Sequence, residues 1–166
     1  SLVFAEGDSP HLMYHFRDLE AVVEQECEFN DRRGSALPIH LAAGCGNIEA
    51  LKHLLEAGAC IEAKAKVWPK PDAEEVVSQE VIPRGHYTAL HEAALFSQTS
   101  VVEFLLSKNA NVNSCNVNGR TPLHEAARVG SHKVADVLLR EKADVRLMDN
   151  NDTTALMIAV DHGVFE

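Results

Sequence analysis

Nine histidines, 25 acidic residues and four cysteines give this 166-residue chain raw material for metal binding or acid–base catalysis. Their spacing argues against both. Three of the histidines close one recurring phrase: Leu37-Pro38-Ile39-His40, Thr88-Ala89-Leu90-His91 and Thr121-Pro122-Leu123-His124. Equivalent positions on packed helices lie roughly 8–10 Å apart. Zinc ligands must each lie about 2 Å from one ion. His40, His91 and His124 therefore cannot share a metal, and hydrogen bonding to buried backbone is their expected role. His91-Glu92 and His124-Glu125 set acid beside base in sequence only, because neighbours on a helix diverge by about 100°. No G-x-S-x-G, phosphate-binding glycine loop or H-E-x-x-H is present. Cys27, Cys45, Cys60 and Cys115 form no C-x-x-C pair. Cys45, between Gly44 and Gly46, reads as a structural thiol at a helix end rather than a nucleophile. No catalytic residue, cofactor or metal is expected, and the segment reads as a non-enzyme.

The elements that must carry these residues repeat. His91 and His124 are 33 residues apart, and a degraded fourth phrase, Thr154-Ala155-Leu156-Met157, follows after 33 more. Leucine pairs recur in register at Leu54-Leu55, Leu105-Leu106 and Leu138-Leu139. A fixed period of this size means stacked supersecondary units. In the clearest unit, Asn118-Gly119 is a turn signal. Thr121 and Pro122 open a short helix as N-cap and first-turn proline. Gly130 stops it, and Ser131 is placed to cap a second helix carrying Val134, Val137 and Leu138, with Glu141 facing water. The other units read alike through Ala42, Ala43, Leu51, Leu54 and Leu55, and through Ala93, Ala94, Val101, Val102, Leu105 and Leu106. The leucine pairs and Ala93, Ala94, Ala126 and Ala127 are all expected to be buried. About 18 extra residues separate the first and second units, in the stretch Lys64–Gly85. They include Trp68-Pro69-Lys70-Pro71, whose prolines argue for a loop, and a short helix over 73–80 capped by Asp72.

Thr121-Pro122-Leu123-His124-Glu125-Ala126-Ala127 with Gly130 and Leu138-Leu139 resembles an ankyrin repeat, as does His40-Leu41-Ala42-Ala43 with Gly46, Leu54-Leu55 and Gly58-Ala59. The resemblance implies an all-α solenoid of antiparallel helix pairs with short β-hairpin fingers. It divides the chain into an N-terminal helical cap repeat (1–33), repeats at 34–64, 85–115 and 116–148, an inserted loop (65–84) in a hairpin finger, and a truncated repeat (149–166). The cap is read as helices over Pro10–Phe16 and Asp18–Cys27. The resemblance also implies a non-catalytic protein–protein interaction module. The alternative is a regulatory or targeting domain of an enzyme, channel or ubiquitin-ligase receptor. A further alternative is a small-molecule pocket lined by Trp68 and Phe96.

Charge and cysteine usage narrow the setting. A net charge of −10 argues against a nucleic-acid or anionic-membrane surface. No run of 18 apolar residues exists to span a membrane. Unpatterned cysteines favour a reducing compartment, cytoplasmic or nuclear. The absence of an initiating Met and of a fourth leucine pair reads as a fragment of a larger intracellular protein.

In ankyrin-like stacks the finger tips and exposed inner-helix ends meet the partner. By register these are Arg33, Ala36 and Cys45; Arg84, Tyr87, Leu95 and Phe96; Val117, Asn118, Arg120, Arg128 and Val129; and Asn150, Asn151, Thr153, Asp161 and His162. Arg84, Tyr87, Leu95, Phe96, Arg120 and Arg128, joined by Trp68 of the insert, are the expected partner-binding set, since Arg and aromatic residues dominate energetic hot spots. Three arginines on an acidic chain suggest a protein or peptide partner bearing acidic residues. Asn113, eight residues after Leu105, resembles the site modified by asparaginyl hydroxylases; its simpler role is to stabilise the finger turn.

Overall fold

The structure, a computed structural model, describes residues 27–28, 35–65 and 85–162. The cap helices expected before residue 27, the insert beyond Ala65, Arg33, Trp68 and Arg84 lie outside the described residues. Helix α1 (Pro38–Gly44) pairs with α2 (Ile48–Glu56), α3 (Ala89–Leu95) with α4 (Thr99–Ser107), and α5 (Pro122–Arg128) with α6 (His132–Arg140). Helix α7 (Ala155–Asp161) repeats the inner helix of a fourth unit. The inner helices stack in chain order, α1 on α3 on α5 on α7, and the outer helices α4 and α6 pack behind them.

Small side chains make this stacking close. Ala43, Ala93, Ala94 and Ala126 are fully buried where inner helices meet. Pro122 occupies the first turn of α5, where its missing N–H is not needed. Asn47 caps α2 by accepting the Ala50 N–H at 3.0 Å. Ser131 stands at the cap position of α6 without a side-chain cap bond, so there the expected capping is absent.

The leucine pairs divide. Leu54, Leu105 and Leu138 are buried, and they bind the outer helices to the inner ones. Leu55 and Leu106 are half-buried, because the second leucine of each pair faces the next outer helix. Leu139 is 46% exposed, against expectation, since no outer helix follows α6 among the described residues. Ala127 is likewise only half-buried, while Glu141 is exposed as expected.

Three backbone positions per unit turn left-handed. They are Gly46, Ser97 and Gly130 between paired helices, Gly58, Asn109 and Lys142 after the outer helices, and His86, Gly119 and Asp152 in the fingers. Left-handed geometry costs an L-residue roughly 1–2 kcal/mol, yet five of these nine positions are not glycine. Asn109, Asp152 and His86 are among the non-glycine types that enter this region most readily, so Ser97 and Lys142 are the positions where residue type does not favour it.

The fingers carry less strand than expected. A two-residue antiparallel pair joins β1 (Cys27–Glu28) to β2 (Ser35–Ala36), and one bridge joins Met148 to Thr154. Cys27, expected at the end of a cap helix, is thus in a strand pair. Other finger donors reach across to the neighbouring finger: Val117 N–H to the Gly85 carbonyl at 3.0 Å, and Asn150 N–H to that of Asn118 at 2.9 Å. These bonds between units add to the bonds within each finger, Asn116 N–H to the Arg120 carbonyl at 3.0 Å and Asp149 N–H to that of Thr153 at 2.9 Å. The root of the insert is closed by Ala65 N–H to the Tyr87 carbonyl and His86 N–H to the Ala65 carbonyl, both 2.8 Å.

Candidate recognition surface and the polar seam beneath it

Each recurring histidine is buried and links two units. Its Nδ1 accepts the N–H of the residue three before it: Leu37 at 3.2 Å, Thr88 at 3.2 Å and Thr121 at 3.1 Å. That acceptance places the ring proton on Nε2. Nε2 donates to the carbonyls of Ala63 and Arg120 at 2.9 Å each, and of Thr153 at 3.1 Å. Thr88 and Thr121 hydroxyls lie 2.9 and 2.8 Å from the same Nδ1. Thr121 is thus the N-cap of α5, as expected, and its contacts there are shared with His124. Burial holds His91 down from the ordinary 6.5 to about 4, and lowers His40 and His124 as well, despite their carbonyl partners.

Beside the histidines lies a polar network that the repeat pattern does not announce. Glu125, on α5, is completely buried. Its Oε1 accepts the Tyr87 hydroxyl at 2.6 Å and the Asn116 Nδ2 at 3.4 Å. Its Oε2 accepts Arg128 through Nε and a terminal nitrogen, both at 3.0 Å. Asn116 Oδ1 meanwhile accepts the N–H groups of Asn118 and Arg120 and shapes its own finger. One finger later, 33 residues on, Asp149 Oδ1 accepts the N–H groups of Asn151 and Thr153 in the same way. The Asp149 Oδ2 holds Arg120 Nε at 3.0 Å. Burial would raise the Asp149 carboxyl, but the Asn151 N–H, Arg120 and the Thr153 N–H outweigh it and hold it below the usual range.

These contacts redistribute the expected partner-binding set. Tyr87 is 0% exposed and presents no surface to a partner, a correction with a plain cause: its hydroxyl satisfies a buried carboxylate. Burial, then the Glu125 charge, push its hydroxyl far above the ordinary tyrosine range. Arg120 and Arg128 are 18% and 22% exposed and are spent on Asp149 and Glu125. Neither is an uncommitted cation for an acidic peptide. Leu95 is half-buried, whereas Phe96 is 48% exposed at the end of α3. A Cβ at Gly44 would lie 3.1 Å from the Phe96 ring, so the ring leans on the preceding inner helix. Val129, at the same level of α5, is also exposed, and Cys45 at the end of α1 is exposed too. Phe96 and Val129 are thus the apolar part of the surface at the inner-helix ends.

Asn113 is half-buried and its Oδ1 accepts the Asp144 N–H of the next unit at 2.9 Å. In the preceding unit Glu62 Oε1 does the same for Asn111 N–H at 2.8 Å. The carboxamide ties its finger to the next unit, a different role from the expected stabilisation of its own turn.

A family model described as ankyrin repeats (3 copies) matches residues 11–115 and again residues 90–166. The chain belongs to the ankyrin-repeat family. Over 103 residues, 62% of this chain, it is 31% identical to BRCA1-associated RING domain protein 1 of Caenorhabditis elegans. Those residues are only 12% of that protein, so the chain spans a small part of the relative's length. Among the described residues, no helix is long and apolar enough to cross a membrane.

The network could have been sought in the sequence. Glu125 and Arg128 stand at the i,i+3 spacing of a helical ion pair. Asn116 and Asp149 are one period apart, and so are Tyr87 and Arg120. Periodicity marks these as repeat positions and thus as stacking residues, and variation in residue type hid the shared role.

Proposed function

We propose that this ankyrin stack is a non-catalytic docking module for another protein. It serves as a recognition segment of a larger polypeptide in a reducing, cytoplasmic or nuclear compartment. The carrying observation is the division of labour at the inner-helix ends. Arg120 and Arg128 there are paired with Asp149 and Glu125, while Phe96 and Val129 remain exposed. A stack that fixes its own seams with buried ion pairs and leaves an apolar strip on one side is built to present that strip. The partner supported by this arrangement is a protein segment with an apolar anchor. The acidic-peptide requirement loses its basis once Arg120 and Arg128 are paired. The free Cys45, Cys60 and Cys115 support the compartment.

The relative's partial match supports the same reading at a coarser level. Its name describes a protein that carries a RING domain and associates with BRCA1. An ankyrin stack serving as the docking part of such a multidomain protein is the regulatory or targeting alternative, with the same local chemistry.

The test is a binding measurement with a captured partner. Phe96→Ala is expected to weaken it by roughly thirtyfold, as truncation of an energetic anchor costs about 2 kcal/mol or more. Glu103→Ala, on the exposed side of α4, is expected to change it by less than twofold. The reverse pattern would place the interface on the outer helices and end this reading.

A further inference from the structure

The three seam histidines share a geometry that only the neutral ring satisfies. In each, Nδ1 is aimed at a main-chain N–H and Nε2 at a carbonyl of the following finger. A proton added to Nδ1 would face that N–H, and an acceptor would become a donor. The N–H at the start of the inner helix would then be buried without a partner. The seams involved are consecutive, and Met157 in the fourth phrase ends the series.

We infer that His40, His91 and His124 form a proton-linked latch, which holds successive units in register when neutral and releases them together in mild acid. A stack bound through neighbouring units would then let go of its partner as the medium acidifies.

Burial favours the neutral form of each ring over the groups around it that favour the charged one. His91 faces the Tyr87 ring, with centroids 5.3 Å apart, the Thr88 hydroxyl and the Arg120 carbonyl. Ser114 stands behind Thr88 at 3.4 Å. Among charged and titratable groups, Glu125 favours its protonation, while Lys64 and His40 oppose it. His124 faces Asp149 and Glu125, which favour protonation, and Arg120, which opposes it. His40 is met by the backbone of Ala63, Tyr87 and Leu37. Burial is the first cause in all three and lowers each ring.

The seams differ in one instructive respect. Thr88 and Thr121 can turn their hydroxyls to accept a proton from Nδ1. Leu37 cannot, so the first seam has no such relief.

The sign is fixed by linkage. A ring lowered on folding adds stability above about pH 6.5, and that stability is lost as pH falls toward its folded value. From pH 7.5 to 5.5 each ring that stays neutral in the folded stack raises the unfolding constant about tenfold. Three such rings raise it about a thousandfold.

The experiment is urea unfolding of the 166-residue chain at pH 7.5 and 5.5, with nitrogen-15 spectra of the histidine rings in the folded protein. The latch predicts a rise in the unfolding constant of at least a hundredfold. It also predicts three rings that keep the Nε2-protonated neutral form at pH 5.5. His91→Gln, which cannot titrate, should remove close to tenfold of the rise. Leu37→Thr, which keeps the backbone N–H bonded to His40 Nδ1 while losing some of the Leu37 packing on the core, should reduce the rise by supplying the hydroxyl the first seam lacks. A rise below threefold, or seam rings that titrate near 6.5 within the folded stack, would overturn the proposal. The ring spectra decide it even if His91→Gln does not fold.

Discussion

Replacing Tyr87 by Phe removes a single hydroxyl from the centre of the stack. That hydroxyl donates to Glu125 Oε1 at 2.6 Å, and both residues are fully buried. The ring stays, so the packing contribution of the aromatic body is retained. What remains on Oε1 is Asn116 Nδ2 at 3.4 Å, near the long limit of a hydrogen bond. Hydrogen bonds to charged groups contribute about 1.5–3 kcal/mol. The expected loss is therefore about 2 kcal/mol, a roughly thirtyfold fall in the folded-to-unfolded ratio. For a chain of this size it lowers Tm by roughly 4–8 °C. Urea unfolding at pH 7.5 measures it. A double-mutant cycle with Glu125→Gln isolates the pair and should return a coupling of about 1 kcal/mol or more. Glu125→Gln alone should cost more than Tyr87→Phe, because it leaves the partly buried Arg128 facing a neutral amide. A loss below about 0.5 kcal/mol for Tyr87→Phe would refute the network as a stabilising element. Partner affinity of the folded variant should stay within twofold, since Tyr87 reaches no surface.

Leu105→Ala should cost about 2–5 kcal/mol, because the side chain is fully buried between outer and inner layers; a change under about 0.5 kcal/mol in chemical unfolding would overturn the register. Lys142→Gly should stabilise the chain by about 0.5–1 kcal/mol, because relief of the left-handed strain at φ 65° exceeds the added chain entropy; a lower Tm would show that Lys142 is held there by contacts that matter more than backbone strain.

The stacked architecture was legible because helix period, turn residues and a 33-residue repeat all point the same way. Pro122, Asn118-Gly119 and Leu105 each have one role, and each performs it. The surface was far less legible. Register places Tyr87, Arg120 and Thr153 at one equivalent position, and the family rule assigns that position to recognition. Whether a side chain there points outward depends on what the next unit offers it. Glu125 draws Tyr87 inward, and Asp149 draws Arg120. Neither acid is adjacent in sequence to its partner, so single-unit reasoning could not find the pairings. Leu139 failed for the opposite reason. Its equivalents Leu55 and Leu106 are covered by a following outer helix, and burial of a repeat residue belongs to the pair of units rather than to one.

The two polar seams show how a repeat can vary without losing its stack. Between the second and third units the acid sits on the inner helix, as Glu125, and the preceding finger answers with a neutral donor, Tyr87. Arg128 from the same helix supplies the balancing charge. Between the third and fourth units the inner-helix position is Ile158, buried and apolar, and the arginine position has become Asp161, which is exposed. A tyrosine at position 120 would there face a hydrocarbon. The chain instead carries Arg120 at that place, and moves the acid one step back to Asp149 in the finger. Each arrangement brings one buried carboxylate, one arginine and the main-chain donors of a turn to a seam. The charge balance is conserved while every residue carrying it changes place. Substituting one member alone breaks that balance. Exchanging Tyr87 for Arg, for example, would set two guanidinium groups on Glu125. The positions that look most variable from unit to unit are therefore constrained across the seam.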